Sequence, residues 1–287
     1  MIRLKNRKWL GPLLIVIVLV VLGGGGLFFW QRQHNQPVAS PVDVGHYHTP
    51  TLFVHGFGGG YGSEKDMIND LSTHPGFKQV LRFDIDASGK ARVSGHWDAA
   101  VKYPLIAVVF QTGRPDANAL VPVLTQLKKS YGIKSFNAVG HSAGSSAWVS
   151  WAVTNRTAAQ PALHRLVTIA GPFNGFPGMD SQSATATIGK DGKPSYISPR
   201  YAPLVANRSH FPTTAAVLNL YGDLGHGTDS RVPVVSARAL GYIVRGRAIS
   251  YTERVIKNSK AQHSQLHEHN PLVNKYLYEF LTTGKVQ

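Results

Sequence analysis

Short apolar runs alternate with amphipathic stretches along most of this chain. "TPTLFVHG" (49–56) and "YPLIAVVFQT" (103–112) are apolar runs of strand length, and "FNAVG" (136–140), "RLVTIAG" (165–171), "AVLNLYG" (216–222) and "AISYTERVI" (248–256) read as further strands. Runs of this kind, rich in β-branched residues and closed by glycine, predict strands buried on both faces. "KQVLRFDID" and "ARVSGHW" flank the turn "ASGK" and predict a hairpin.

Between the strands, Leu120, Val123, Leu124 and Leu127 recur at helical spacing and Gly132 supplies a stop. "SSAWVSWAVTN" has helical length, and "VPVVSARALGYIV" and "NPLVNKYLYEFLTTG" each predict a helix. Strands separated by helices predict an α/β domain with a mostly parallel central sheet and helices on both faces. The stretch 171–214 is polar and rich in Gly and Pro, with a short helix predicted in "SPRYAPLVANRS". A connection that long is expected to be a lid or binding element.

The first 30 residues follow another pattern. "MIRLKNRK" is basic, and residues 9–30 carry no charge and are bounded by Trp9 and Trp30. A helix of that length spans roughly 30 Å, the thickness of a bilayer's hydrocarbon core. The expected organisation is a cytoplasmic basic flank (1–8), a transmembrane anchor (9–30), a polar linker (31–49) and an extracytoplasmic domain (50–287). A cleaved signal peptide is the competing reading, with "PVAS" (37–40) as the nearest approach to a cleavage site.

Composition narrows the chemistry. The chain has no cysteine, which excludes a thiol nucleophile, a thiolate metal site and disulfides. Its net charge of +15 is spread without a basic stripe interleaved with aromatics, so anionic lipid headgroups or an anionic wall polymer fit better than nucleic acid.

"VGHSAGSS" places Ser142 between Gly140 and Gly144, at a strand-to-helix turn. Such an elbow exposes a serine to a base and aims a helix N-terminus at it. "FVHGFGGG" ends the first strand of the domain with a glycine-rich turn resembling the H-G-G oxyanion donor of esterases, so the N–H groups of Phe57 and Ala143 are the candidate donors. The turn lacks the K-[ST] ending of a phosphate loop. Asp223 and Asp229 follow a later strand and are both candidates for the acid. His263, His267 and His269 follow the last strand and supply the candidate base. His263 and His267 also have a spacing open to metal ligation, but the H-E-x-x-H arrangement is absent.

"LFVHGFGG", "AVGHSAGS", "IAGPFNG", "TDSRVP" and "QHSQLHEHNP" together make residues 50–283 resemble the α/β-hydrolase superfamily. More narrowly, they are similar to the uncharacterised, lipase-like cell-surface hydrolases of Gram-positive bacteria. That resemblance implies the α/β-hydrolase fold and a Ser-His-Asp triad cleaving small-molecule or lipid esters through an acyl-enzyme, with no cofactor and no metal. The D-x-x-V-P pattern then favours Asp229 over Asp223, and H-x-x-L favours His263 over His267. Acyl transfer through the same triad and a non-catalytic surface-binding relative are the alternative functions. The Ala143-Gly144-Ser145 sequence departs from relatives that carry a bulkier residue and a second glycine, which bears on pocket shape.

Overall fold

A computed structural model describes residues 49–287. The expected anchor (9–30) and its flanks lie outside the described residues. Among the described residues no helix is long and apolar enough to cross a membrane.

Eight strands form one sheet: β1 (Thr51–Val54), β2 (Phe77–Ile85), β3 (Ala91–Gly95), β4 (Tyr103–Phe110), β5 (Ser135–His141), β6 (Ala162–Ile169), β7 (Ala216–Gly222) and β8 (Ser250–Ile256). Their order is β3-β2-β4-β1-β5-β6-β7-β8. Every neighbouring pair is parallel except the β2–β3 hairpin. The central strands are buried and mostly apolar because helices cover both faces. Along β1, Leu52 and Val54 enter one core layer and Phe53 the other.

The topology fixes where a site can form. From β1 the chain crosses to β2, adds β3 at the edge, returns to β4 between β2 and β1, and then passes to β5 on the opposite side of β1 and continues through β6, β7 and β8. The β1/β5 junction is therefore the switch point, and a crevice opens there at the carboxyl ends of the strands.

The principal helices are α1 (Tyr61–Ser72), α2 (Ala117–Tyr131), α3 (Ala143–Ser150) and α7 (Pro271–Thr283); α4 (Ala202–Ala206), α5 (Val234–Arg238) and α6 (Leu240–Val244) are short. Asp116 caps α2 by accepting from the N–H groups of Asn118 and Ala119, and Gly132 ends it in the left-handed conformation. α3 continues into a π-helical turn over Trp151–Asn155. The helix expected over 232–244 is broken into α5 and α6. The carbonyls of Ala237 and Ala239 accept from Asn219 Nδ2 and the Tyr201 hydroxyl, which draws them out of a continuous ladder.

α1 is absent from the sequence expectation. Its inward face is Glu64, Met67, Ile68 and Leu71, so a carboxyl interrupts the apolar stripe that would reveal it. The stretch 171–214 contains α4, two single 3₁₀ turns and an isolated bridge between Ile188 and Pro194. Tyr201, Leu204 and Phe211 anchor it in the core layer that also holds Trp148 and Trp151 of the α3 segment.

Candidate active site

Ser142 follows β5 with φ 50° and ψ −116°, a conformation that costs a non-glycine residue about 1–3 kcal/mol. Its surroundings hold it there. The Ser142 N–H donates to the Ile169 carbonyl (2.8 Å), and the buried Ser145 hydroxyl donates to the Gly140 carbonyl while accepting from the Ile169 N–H. The flanking glycines are required by close approach. A Cβ on Gly140 would lie 2.6 Å from the Gly144 carbonyl carbon, and one on Gly144 would lie 2.2 Å from the Val54 carbonyl oxygen. The first turn of α3 thus sits directly against the end of β1.

His263 lies in the loop after β8 and faces the elbow. Its Nε2 is 3.0 Å from Ser142 Oγ, and its Nδ1 is 2.8 Å from Asp229 Oδ2. Asp229 is fully buried in the loop after β7, and its Oδ1 accepts from the N–H groups of Arg231 (2.9 Å) and Val232 (2.7 Å). A carboxylate on Nδ1 fixes the proton there and leaves Nε2 free to accept from the serine hydroxyl. The His263 N–H also donates to the Asp229 carbonyl (2.8 Å), joining the two loops through the backbone.

The structure does not bring Asp223 or His267 to Ser142. Asp223 closes a turn, accepting from the N–H groups of Gly225 and Gly227. His267 is buried and donates from Nδ1 to the Ser63 carbonyl of α1. His269 pairs with Asp66 at the surface. Among the described residues no cluster of His, Asp and Glu suits a metal ion.

The turns that carry the two candidate oxyanion donors lie side by side at the switch point. Ala143 is the first residue of α3, so its N–H has no intrahelical acceptor. On the other side, a Cβ on Gly56 would come within 3.2 Å of Ser142 Cβ, which sets the turn after β1 against the elbow. The Phe57 side chain itself is exposed.

Buried His55 orients that turn, a role that its place in the motif did not disclose. The Phe110 N–H donates to His55 Nε2 (2.9 Å), so the ring carries its proton on Nδ1 and donates it to the Gly56 carbonyl (2.7 Å). The Gly59 N–H donates to the same oxygen. In a planar trans peptide, holding the Gly56 carbonyl on one side turns the Phe57 N–H to the other. Burial holds the His55 ring below its ordinary pKa, which keeps it neutral for this double role.

His141 is a second residue whose role was not legible. It is buried beside the His263 and His267 rings, with centroids 4.8 and 4.0 Å away, and its Nε2 donates to the His263 carbonyl (3.1 Å). Burial above all, and then the proximity of the two other imidazoles, holds its pKa well below 6.5. Burial likewise lowers that of His267. A neutral His141 ring therefore lies beside His263, and Asp229 is the carboxylate in direct contact with it.

Comparison with known proteins agrees with this architecture. A family described as "alpha/beta hydrolase of unknown function (DUF915)" matches residues 42–283. A Listeria innocua protein of solved structure is 26% identical with a TM-score of 0.75, over 84% of this chain and 96% of its own. A Lactobacillus plantarum protein, whose description proposes a cell-surface hydrolase, is 21% identical with a TM-score of 0.65, over 85% and 94% of the two chains. No curated protein matches the sequence significantly.

Proposed function

The chain belongs to the DUF915 family of alpha/beta hydrolases, and from that membership we propose that it is a serine hydrolase cleaving carboxylic esters. The observation that carries the reading is the continuous relay from Ser142 Oγ through His263 to Asp229, at 3.0 and 2.8 Å, built on a strained elbow. In this reading Ser142 Oγ attacks the ester carbonyl as His263 Nε2 takes its proton. The tetrahedral oxyanion accepts from the N–H groups of Phe57 and Ala143. The intermediate then collapses, and His263 returns the proton to the departing alcohol. A water molecule, deprotonated by the same imidazole, attacks the acyl-enzyme, releases the acid and restores Ser142. Asp229 holds the imidazole tautomer and balances the imidazolium formed in each half-reaction.

The basic flank and apolar segment at the N-terminus support a single-pass membrane protein with this domain outside the cytoplasm. The positive balance supports contact with anionic headgroups or wall polymer. The test is labelling of the full-length chain by a fluorophosphonate, together with turnover of short aryl esters. Wild type is expected to be labelled and active. Ser142→Ala is expected to lose labelling and at least about 10³-fold in kcat with an unchanged unfolding transition. Equal turnover by Ser142→Ala overturns the assignment.

A further inference from the structure

A cavity of about 450 Å³ begins at Ala143, the neighbour of Ser142, and runs along the outer face of α3. Its floor includes Ser146 and Ser150, one wall is the entry to α2 with Asp116 and Asn118, and Phe173 and Arg200 line it from the 171–214 segment. The volume lies within the range of about 300–1,000 Å³ occupied by small ligands, but such sites are mostly apolar. Here half of the lining residues are polar, and they include both a carboxylate and a guanidinium.

Three of these groups lack the protein partner that would close them off. Ser146 Oγ is shielded and makes no hydrogen bond, and its residue lines the groove. The Arg200 guanidinium forms no ion pair or hydrogen bond among the described residues. The Asn118 carbonyl accepts from Asn155 Nδ2 (2.7 Å), which leaves its own amide NH₂ without a protein acceptor. Asp116 adds an acceptor beside these donors, since only its Oδ1 is used in capping α2. Acceptor and donors side by side suit neither a hydrocarbon chain nor a simple anion. They suit hydroxyl groups, each of which donates and accepts.

We propose that this groove binds a polyhydroxylated alcohol part of the substrate, so that the preferred esters are short-chain acyl esters of sugar or polyol units. The inference rests on the ester-hydrolase reading above and names its substrate class. In an ester of a sugar or polyol the hydroxyl-bearing portion is the alcohol, and the groove reaches Ala143, the residue that follows Ser142.

The experiment compares acetate release from methyl 6-O-acetyl-glucopyranoside and from cyclohexylmethyl acetate. These are rings of similar size with and without hydroxyls. Full-length wild type, Asn118→Leu and Arg200→Leu are assayed, with fluorophosphonate labelling of Ser142 in parallel. Wild type is expected to favour the sugar ester in kcat/KM by at least about tenfold, the worth of one or two hydrogen bonds. Each variant is expected to bring that ratio towards one. Because the ratio is taken within one preparation, partial unfolding does not move it. A labelled wild type with no preference, or with preference for the cyclohexyl ester, overturns the inference and leaves the hydrolase reading standing, as does a ratio retained in both variants. A wild type that is neither labelled nor active overturns both.

Discussion

Glu64 makes the fold lose stability as pH rises from acid to neutral, and the size of the effect follows from its position. It lies on the inward face of α1 with Met67, Ile68 and Leu71, fully buried, and neither carboxyl oxygen has a hydrogen-bond partner. Burial pushes its pKa from the ordinary 4.5 up to about 8. Below pH 4.5 the carboxyl is protonated in both folded and unfolded chains. Between 4.5 and about 8 the unfolded chain ionises while the folded chain keeps its proton, so stability falls as pH rises. The fall is about 1.4 kcal/mol per pH unit, on the order of 5 kcal/mol across the window, which is a large part of a typical domain's stability.

Glu64→Gln isolates this contribution. The amide cannot ionise, and its own unpartnered groups add an offset that does not depend on pH. Denaturant unfolding of the two proteins, followed by tryptophan fluorescence from pH 4 to 9, gives the difference curve. The stability of the variant minus that of wild type is expected to rise by about 1.4 kcal/mol per pH unit from pH 5 to 7.5 and to level off above about 8. Titration of His55, His141 and His267, each lowered by burial, removes stability as pH falls below 6.5, but it is common to both proteins and cancels. A difference curve that is flat across this range refutes the reasoning.

Three substitutions test the site's construction. Gly144→Ala puts a methyl 2.2 Å from the Val54 carbonyl oxygen, with no flexible side chain to yield, and is expected to destabilise by about 1–3 kcal/mol, read from the unfolding midpoint. Asp229→Asn keeps the size of the group but favours the wrong imidazole tautomer, so kcat for an aryl ester is expected to fall by about 10⁴ with KM little changed. His55→Phe preserves ring packing but releases the Gly56 carbonyl and orphans the Phe110 N–H, so kcat is expected to fall by about 10²–10³, the loss of one oxyanion donor, in single-turnover acylation.

The central strands β1, β4, β5, β6 and β7 were legible because a parallel sheet covered on both faces demands largely apolar runs. The order of elements then led from alternation to topology. α1 was not legible because Glu64 occupies a position where the helical stripe calls for an apolar residue. The broken helix at Ala239 was not legible because its cause is remote: Tyr201 and Asn219 reach it across the fold. Position after the strands alone left two acids and three histidines open, and the D-x-x-V-P and H-x-x-L patterns favoured Asp229 and His263. The loop after β7 doubles back, with Leu224 N–H bonded to the Thr228 carbonyl and Thr228 bridged to Pro233, and this hairpin carries Asp229 rather than Asp223 beneath His263.

The G-x-S-x-G spacing has a different physical basis from the one its glycines suggest. Neither Gly140 nor Gly144 has a positive φ; the residue that does is Ser142. The glycines are present because α3 lies against β1 too closely for a Cβ, and they leave the conformational strain on the serine. A turn needed only to reverse the chain places glycine at the positive-φ position, where it costs nothing. Here serine occupies it at a cost of about 1–3 kcal/mol, held by its own N–H donating to the Ile169 carbonyl and by the Ile169 N–H donating to the Ser145 hydroxyl oxygen. Backbone strain at a serine whose hydroxyl also faces an imidazole is the combination that supports the proposed nucleophile over a chance match to five residues.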